Sequence, residues 1–409
     1  MLAQHPKLRE VEVFPVRDGA NELLCLRDPL GFTDNIVTVS GGAALVLECL
    51  DGQHSLPAIQ ARIVAATNQQ VPLATLEKFI AQLDDAHLLD SPRFAAHRDE
   101  LLRQFRESPV REAAHAGVSY PAQPAEIHQA FAKHVEPPHG PGATPATVGS
   151  PPVALVVPHI DLRHGGPTFA WAYAALRGAP AVDTFVILGV AHVPTTQRFV
   201  GTKKHFQTPL GTVATDGEFM DALAAKLPFD LYADEWAHRR EHSVEFQAVY
   251  LQHVCGAAPP YRIAPVLVGS FHDLLREERD PIRDKQVAAF VKALRETILA
   301  AGRRVCVIAS VDLAHVGGRF GDEFTVNDEV LRQLETDDRR LLAAVAAGDA
   351  NRLIEIVYAE EDRRRVDAWP AVYTMLQALD LRQGELLHYA QNVEPDTNSV
   401  VTFASMKFW

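Results

Sequence analysis

Three histidine-bearing segments carry most of the chemistry this chain offers. Pro158-His159-Ile160-Asp161-Leu162-Arg163-His164-Gly165-Gly166 packs two histidines and an aspartate into one short stretch. Gly189-Val190-Ala191-His192 supplies another histidine, and Ser310-Val311-Asp312-Leu313-Ala314-His315-Val316-Gly317-Gly318 supplies an aspartate and a further histidine. Imidazole ligates metals and moves protons near neutral pH, and a neighbouring carboxylate can orient it or join it on an ion. One such histidine would mean little. The recurrence of the same local setting is the signal.

Each segment directly follows a short apolar run rich in β-branched residues: 153–157 (Val-Ala-Leu-Val-Val), 184–188 (Thr-Phe-Val-Ile-Leu) and 304–309 (Arg-Val-Cys-Val-Ile-Ala). Such runs read as buried strands, and ligands of open α/β sheets sit beyond the carboxyl ends of the strands. Three strands releasing their histidines at that edge make a site. Glu241-His242-Ser243-Val244-Glu245 opens a helix running to Val254, in which Ser243 can cap and the acids favour the dipole. His242 and Glu245, three apart, share a helix face and bring His242 into consideration for the pocket.

Around these segments strand and helix alternate. Helices are expected over 169–176, 217–227, 285–300, 327–347, 351–359 and 369–381, with strands over 263–268, 386–389 and 400–407. That alternation predicts an α/β fold with a mostly parallel sheet flanked by helices. Residues 1–92 read as a small winged-helix-like N-terminal domain: strands at 11–14 and 36–39, then helices over 42–50, 55–67 and 72–86, the second opened by Ser55 and Pro57. A polar connecting helix over 93–108 leads to the main domain, 109–409, which a Pro/Gly-rich loop over 137–152 interrupts. The glycine pairs 165–166 and 317–318 are expected as tight turns, and neither forms a phosphate loop. The run Glu360-Glu361-Asp362-Arg363-Arg364-Arg365 is expected as a solvated charged face.

Composition narrows the function classes. With 409 residues, 47% hydrophobic and 22% charged, the chain is an ordinary globular one with a large core. A formal net charge of −13 with scattered cations argues against nucleic acid and anionic membranes as partners. The four cysteines, Cys25, Cys49, Cys255 and Cys306, lie far apart with no Cys-x-x-Cys, so neither a thiolate zinc site nor a disulfide framework is indicated. No stretch reads as a signal peptide or a membrane span, so a cytoplasmic protein is expected.

Seven ordered motifs carry a family resemblance. His115-Ala-Gly-Val-Ser-Tyr, Val157-Pro-His159, Leu188-Gly-Val-Ala-His192, Thr208-Pro-Leu-Gly211, Glu241-His-Ser-Val-Glu245, Pro265-Val-Leu-Val-Gly269 and Ser310-Val-Asp312-Leu-Ala-His315-Val-Gly-Gly-Arg319-Phe resemble, in order and spacing, the Memo family, whose bacterial members are called AmmeMemoRadiSam system protein B. The resemblance spans 109–409 and implies a fold like that of the class III extradiol dioxygenases, which bind non-haem iron. The first domain resembles the PqqD-like domains, which dock a peptide or partner enzyme through an exposed strand edge.

The resemblance implies a pocket built from His159, His192, Asp312 and His315, with Glu241 and His242 nearby. Two imidazoles and one carboxylate are the ligand set of oxygen-binding ferrous iron, and imidazole also suits zinc or copper. His159 and His192 are then the metal ligands, with His315 an acid/base group, Asp312 holding it or ligating, and His242 a further catalytic residue. Where the family commonly carries a pocket cysteine this chain has Val366, so Asp367 is expected as the third metal ligand. The family's His-Ala-Gly-Tyr-x-Tyr becomes His159-Ile-Asp161-Leu-Arg-His164, which removes two aromatic walls. The functions implied are a metal-dependent redox, dioxygenase-like enzyme on a small-molecule or peptide substrate, a non-catalytic metal-binding partner, or a zinc hydrolase. Expected associates are a radical SAM protein and an Ammecr-type protein.

Overall fold

The computed structural model describes residues 4–18, 21–142, 151–177, 181–256 and 261–409. The central part of the expected loop over 137–152, residues 143–150, lies outside the described residues. The chain divides into two compact units, Met1–Ser108 and Pro109–Trp409.

The first unit begins with an antiparallel three-stranded sheet, β1 (Glu12–Asp18), β2 (Asn21–Arg27) and β3 (Val37–Ser40), paired in that order. Four helices follow: α1 (Ala44–Glu48), α2 (Leu56–Thr67), α3 (Leu73–Asp85) and α4 (Pro92–Glu107). Leu26, Leu47, Ile59, Ile63, Leu76, Ile80 and Leu83 form its core. Those helical residues recur at three- and four-residue intervals, the stripe that buries one helix face. Strand β2 has no counterpart in the sequence expectations, since Leu23-Leu24-Cys25-Leu26 is too short to choose between strand and helix by periodicity.

The second unit is organised by an eight-stranded mixed sheet. Its centre is four mutually parallel strands in the order β5 (Ala154–Val157), β11 (Val305–Ser310), β6 (Thr184–Val190) and β10 (Arg262–Val268). Beyond β10 lies antiparallel β7 (Phe199–Gly201). Beyond β5 lies β14 (Ser399–Phe408), which also runs antiparallel to β12 (His315–Gly317) and β13 (Gly384–Glu394). The sheet is thus parallel at its heart and antiparallel at both margins. A small second sheet joins β4 (Val110–Arg111), β8 (His205–Thr208) and β9 (Gly211–Val213).

Both faces of the parallel strands are buried, and alternate residues enter different cores. Val156, Val186, Leu188, Val266 and Val307 pack on one face with α7 (Gly217–Ala224), α10 (Lys285–Ala300), α11 (Asp328–Ala346), α12 (Ala350–Ala359) and α13 (Ala368–Leu379). Leu155, Val157, Phe185, Ile187 and Ile308 pack on the other with α5 (Pro124–Lys133), α6 (Leu162–Ala174) and α8 (His242–Cys255). A short helix, α9 (His272–Arg276), follows β10. Period-2 side chains on a sheet covered on both sides give continuous apolar runs, which is why the runs before the histidines read so plainly as strands. Among the described residues no helix is long and apolar enough to cross a membrane.

The glycine pair 165–166 forms no turn; it lies inside α6, which begins directly after Asp161. A Cβ at Gly165 would sit 2.4 Å from Ile160 Cγ2, and one at Gly166 would sit 2.3 Å from the His134 ring. Close approach, rather than chain reversal, is what excludes a side chain there. Gly317 does need its glycine for conformation: it has φ of +105°, with Asn398 O 2.1 Å from where a Cβ would stand.

His238, fully buried with its Nε2 2.9 Å from Val200 O, gives a pH prediction. Burial pushes its pKa down from 6.5 to about 4, and burial acts likewise on His134. Between those values the unfolded chain binds protons that the folded one refuses, so stability falls as pH drops from 6.5 toward 4. A shift of this size corresponds to roughly 3 kcal/mol for one fully buried group. Urea unfolding of metal-free protein at pH 7 and pH 4.5 should show the loss, and His238→Gln should flatten it. An unchanged acid limb in that variant would contradict the assignment.

Candidate metal centre

The parallel strands end at one edge, and the start of α8 lies across it. Ser243 joins β6 to that helix: its hydroxyl accepts from Val190 N at 3.1 Å, a different job from the capping expected of it. Glu241 is the N-cap instead, its carboxylate accepting from Ser243 N at 2.9 Å. One turn on, Gln247 donates to Pro158 O at 2.8 Å and to Ser310 Oγ at 2.7 Å, so one buried amide holds the ends of β5 and β11 together. Ser310 Oγ in turn donates to Ser243 O at 2.6 Å. Every polar group of this clamp is satisfied, which a dry strand edge requires.

Three imidazoles meet at this edge. His159, His192 and His242 have ring centroids 5.1, 5.0 and 4.6 Å apart, and each offers a ligand nitrogen within 4.8 Å of the others. In each ring Nδ1 faces a protein oxygen. His159 Nδ1 donates to Ser310 O at 2.9 Å, and His192 Nδ1 is 3.0 Å from both carboxylate oxygens of Glu241. His242 Nδ1 is 3.3 Å from Glu241 Oε1. Nε2 is therefore the nitrogen left to each ring, the arrangement by which carboxylate and carbonyl partners fix metal-binding histidines. His159 is buried, 2% exposed, whereas the His192 side chain is 41% exposed.

The charges fit that use. Burial would raise the Glu241 carboxyl, but His192 and His242 beside it and the Ser243 amide hold it well below the usual carboxylate range. Burial keeps His242 well below its ordinary value and thus neutral, the form a ligand needs. His159 behaves differently: burial opposes its charge, yet Asp367 and Asp312 together lift it to about 10. With no ion bound it carries a proton facing those carboxylates.

Asp312, Asp367 and His315 form the second half of the site. Asp367 Oδ2 is 3.1 Å from His159 Nε2 and 3.9 Å from His315 Nε2, while Asp312 Oδ2 is 3.8 Å from His159 Nε2. Asp312 also accepts from His159 N at 3.1 Å, and its own N–H donates to Asp367 Oδ1 at 2.9 Å. Burial pushes the Asp312 carboxyl up; burial acts the same way on Asp367, but His159 overrides it and holds Asp367 down. Two adjacent carboxyls driven apart in this way are the pattern of an acid and a base sharing one site. His315 Nδ1 faces Leu313 O and Arg365 O, both at 3.1 Å, leaving its Nε2 toward Asp367.

The loop that carries Asp367 is the charged run expected on the surface, and part of it is buried. Asp362 and Arg364 are 6% and 3% exposed. Arg364 pairs with Asp338 on α11 and with Glu360 at 2.8 Å, and Asp338 accepts from Thr402 Oγ1 at 2.6 Å. Arg365 pairs with Asp322 at 2.9 Å, and Asp362 accepts from Val366 N at 2.8 Å. Glu361, Asp362 and Arg365 all take left-handed backbone, with φ of +50°, +48° and +51°. Non-glycine residues adopt that region at a cost of about 1 kcal/mol or more each, and the ion pairs offset it. The result delivers Arg364 O to His315 N at 2.7 Å and sets Asp367 facing His159.

A buried ion pair fixes the other wall. Arg111 and Glu245 are both fully enclosed and in direct contact. Glu245 also accepts from Tyr120 OH at 2.5 Å, Ala114 N at 3.0 Å and His115 N at 3.0 Å. Arg111 donates onward to Glu241 O at 2.7 Å. The segment 111–120 is thereby strapped to the first turns of α8, and its His115 ring packs edge-on to His242 at 5.7 Å.

The sequence candidates thus fall into two groups. His159, His192 and His242 form the three-nitrogen cluster, with His242, expected as a catalytic residue, completing it. Asp367, expected as the third ligand, faces the Nε2 of His159 at 3.1 Å and stands with Asp312 and His315. His164 is exposed on the first turn of α6 and Asp161 caps that helix, so neither joins the cluster. The positioning roles of Gln247, Ser310 and Arg111 carry no local signal in the sequence, whereas Glu241 and Glu245 stand beside His242 at a helix start.

A family model described as Memo-like protein matches residues 111–407. A MEMO1 family protein of Aquifex aeolicus is 26% identical over 417 residues, covering 99% of this chain and all of the relative. One from Thermus thermophilus is 28% identical over 352 residues, covering 85% of this chain and 97% of its own. A third, from Methanopyrus kandleri, is 31% identical over 305 residues, covering 73% of this chain and 98% of its own. The ordered motifs, the α/β fold and the match over nearly the whole second unit lead to one conclusion: this chain belongs to the Memo-like protein family.

Proposed function

We propose that the pocket holds one divalent metal ion, iron(II) foremost, through His159, His192 and His242, and that the protein is a metal-dependent redox enzyme of dioxygenase-like type. The observation that carries this reading is the convergence of one nitrogen from each of the three rings within 4.8 Å of one another, with His159 and His192 held through Nδ1 by Ser310 O and Glu241 and with His242 Nδ1 3.3 Å from the same carboxylate. Three ligands leave open positions, where iron would supply oxygen or substrate activation and zinc would supply Lewis-acid hydrolysis. The chain's own residues do the rest. Glu241 balances charge and keeps His192 and His242 oriented. The proton that His159 gives up on ligation has Asp367 within 3.1 Å to receive it, and His315 at 3.9 Å from Asp367 can carry it toward solvent.

Metal-free protein loaded anaerobically with iron(II) and exposed to nitric oxide should give the paramagnetic signal of an ion with an open position. His315→Gln should keep that signal and the metal while losing oxygen consumption with any substrate found. No signal from a fully iron-loaded protein would overturn the redox reading and leave zinc hydrolysis or metal binding alone.

The alternative is a non-catalytic metal-binding partner in a radical SAM system, alongside an Ammecr-type protein. One observation favours it: β1 is an outer strand of the first unit's sheet, with Val13 and Phe14 45% and 36% exposed, an edge suited to a partner strand.

A further inference from the structure

We infer that the substrate of this centre is a small organic carboxylate with an apolar end, its carboxylate received by Arg283 and Lys285 and its apolar end by a pocket beside Asp367. This rests on reading the three-histidine cluster as a metal-dependent active site. Two cavities adjoin that cluster. The larger, about 860 Å³, runs from His192 to Arg198, Arg279, Arg283 and Lys285. The smaller, about 210 Å³, has Asp367, Asp362, Arg365 and His272 on one wall and an apolar wall of Val190, Val268, Phe271, Val366 and Trp369. Both include Ala191, Gly269 and Ser270, so they share a wall between His192, which lines the larger, and Asp367, which lines the smaller.

Charge accounting picks out the anion's partners. Arg198 is matched by Asp273 at 2.5 Å and Asp284 at 3.3 Å, and Arg279 by Asp284 at 3.4 Å and Glu277 at 3.3 Å. Arg283 and Lys285 are exposed, and among the described residues neither has an ion-pair partner. Two positive charges therefore face the cleft uncompensated. The first amides of α10 are not available to an anion, because Asp284 Oδ1 already accepts from Gln286 N and Val287 N at 2.9 and 3.2 Å. Phosphate groups favour backbone N–H cradles, and the acids Asp273 and Asp284 in the same wall repel a dianion. A guanidinium and an ammonium without such a cradle suit a monoanionic carboxylate. On the apolar side, a cavity of about 150 Å³ lined by aliphatic and aromatic side chains holds benzene, so the smaller pocket has room for a phenyl-sized group.

The test is calorimetric titration of the full chain, with and without zinc, by 3-phenylpropionate, its neutral amide and inorganic phosphate, beside the Arg283→Gln/Lys285→Gln double variant. The acid should bind, the amide should not, and the double variant should bind at least tenfold more weakly while holding the same metal content. Equal binding by the double variant, equal binding of the amide, or displacement of the acid by an equal concentration of phosphate would each overturn the inference. Metal content measured on the same samples separates the two claims. A protein that loads metal but ignores the acid sinks the carboxylate site alone, whereas one that binds the acid through these two residues and loads no metal sinks the metal centre and leaves the carboxylate site standing.

Discussion

Glu245→Ala is expected to destabilise the second unit by about 3 to 5 kcal/mol, because it strands the Arg111 guanidinium in an interior from which water is excluded. Arg111 and Glu245 are among the most enclosed charges of the protein, and Glu245 alone accepts from Arg111, the Tyr120 hydroxyl and two backbone amides. Removing it leaves four donors short of an acceptor, and the two side-chain donors, on Arg111 and Tyr120, are buried away from water. The midpoint of thermal unfolding should fall by roughly ten degrees. The Arg111→Met/Glu245→Ala double variant should lose less than the sum of the singles, since the orphaned charge is gone. Urea denaturation of the four proteins measures this, and a single-variant loss under about 0.5 kcal/mol, the size of an ordinary surface substitution, would show that the strap on segment 111–120 holds nothing.

The second large effect is on metal affinity. His159→Ala, His192→Ala and His242→Ala should each abolish stoichiometric binding, because each removes one of three nitrogens. Glu241→Gln should lower affinity about ten- to a hundredfold: it keeps the shape but removes the charge that orients two of the rings. Asp367→Ala should retain metal, because Asp367 contacts only His159 of the three. Equilibrium dialysis against iron(II) or zinc separates these outcomes. Loss of metal in Asp367→Ala together with retention in His242→Ala would replace the three-histidine set by two histidines and a carboxylate. Binding should also strengthen as pH rises, since the ion competes with the His159 proton, whose pKa stands near 10 with no ion bound.

The sheet's parallel strands were legible because their side chains are buried on both faces. An apolar run that ends at Pro158, or at Gly189 and then His192, has few alternative readings. The outer strands were less so: β13 is half-buried along its length and shows no clean alternation, and the antiparallel margins of the sheet cannot be read from an order of elements alone. At the site, the residues at strand ends could be found from sequence, since a strand's direction fixes where its last side chain emerges. What could not be found depends on distant partners. Arg364 reads as a surface cation until Asp338, on a helix 26 residues away, is seen beside it. Glu241 reads as a capping acid until β6 brings His192 against it. Ser243 is a plausible cap by type, yet its hydroxyl holds the end of β6 because Glu241 already occupies the first amides. Gly165 and Gly166 look like a turn, and only the positions of Ile160 and His134 show that crowding excludes a side chain there.

The central claim is that His159, His192 and His242 make one metal site, and the most direct measurement is elemental analysis of protein purified without oxygen, beside the His159→Ala/His192→Ala double variant. About one equivalent of iron in the first and none in the second, with both folded by circular dichroism, is the expected result; zinc in place of iron would move the chemistry to hydrolysis and keep the site. Failure of the folded wild-type protein to hold any metal after reconstitution with iron(II), zinc or copper would contradict the claim.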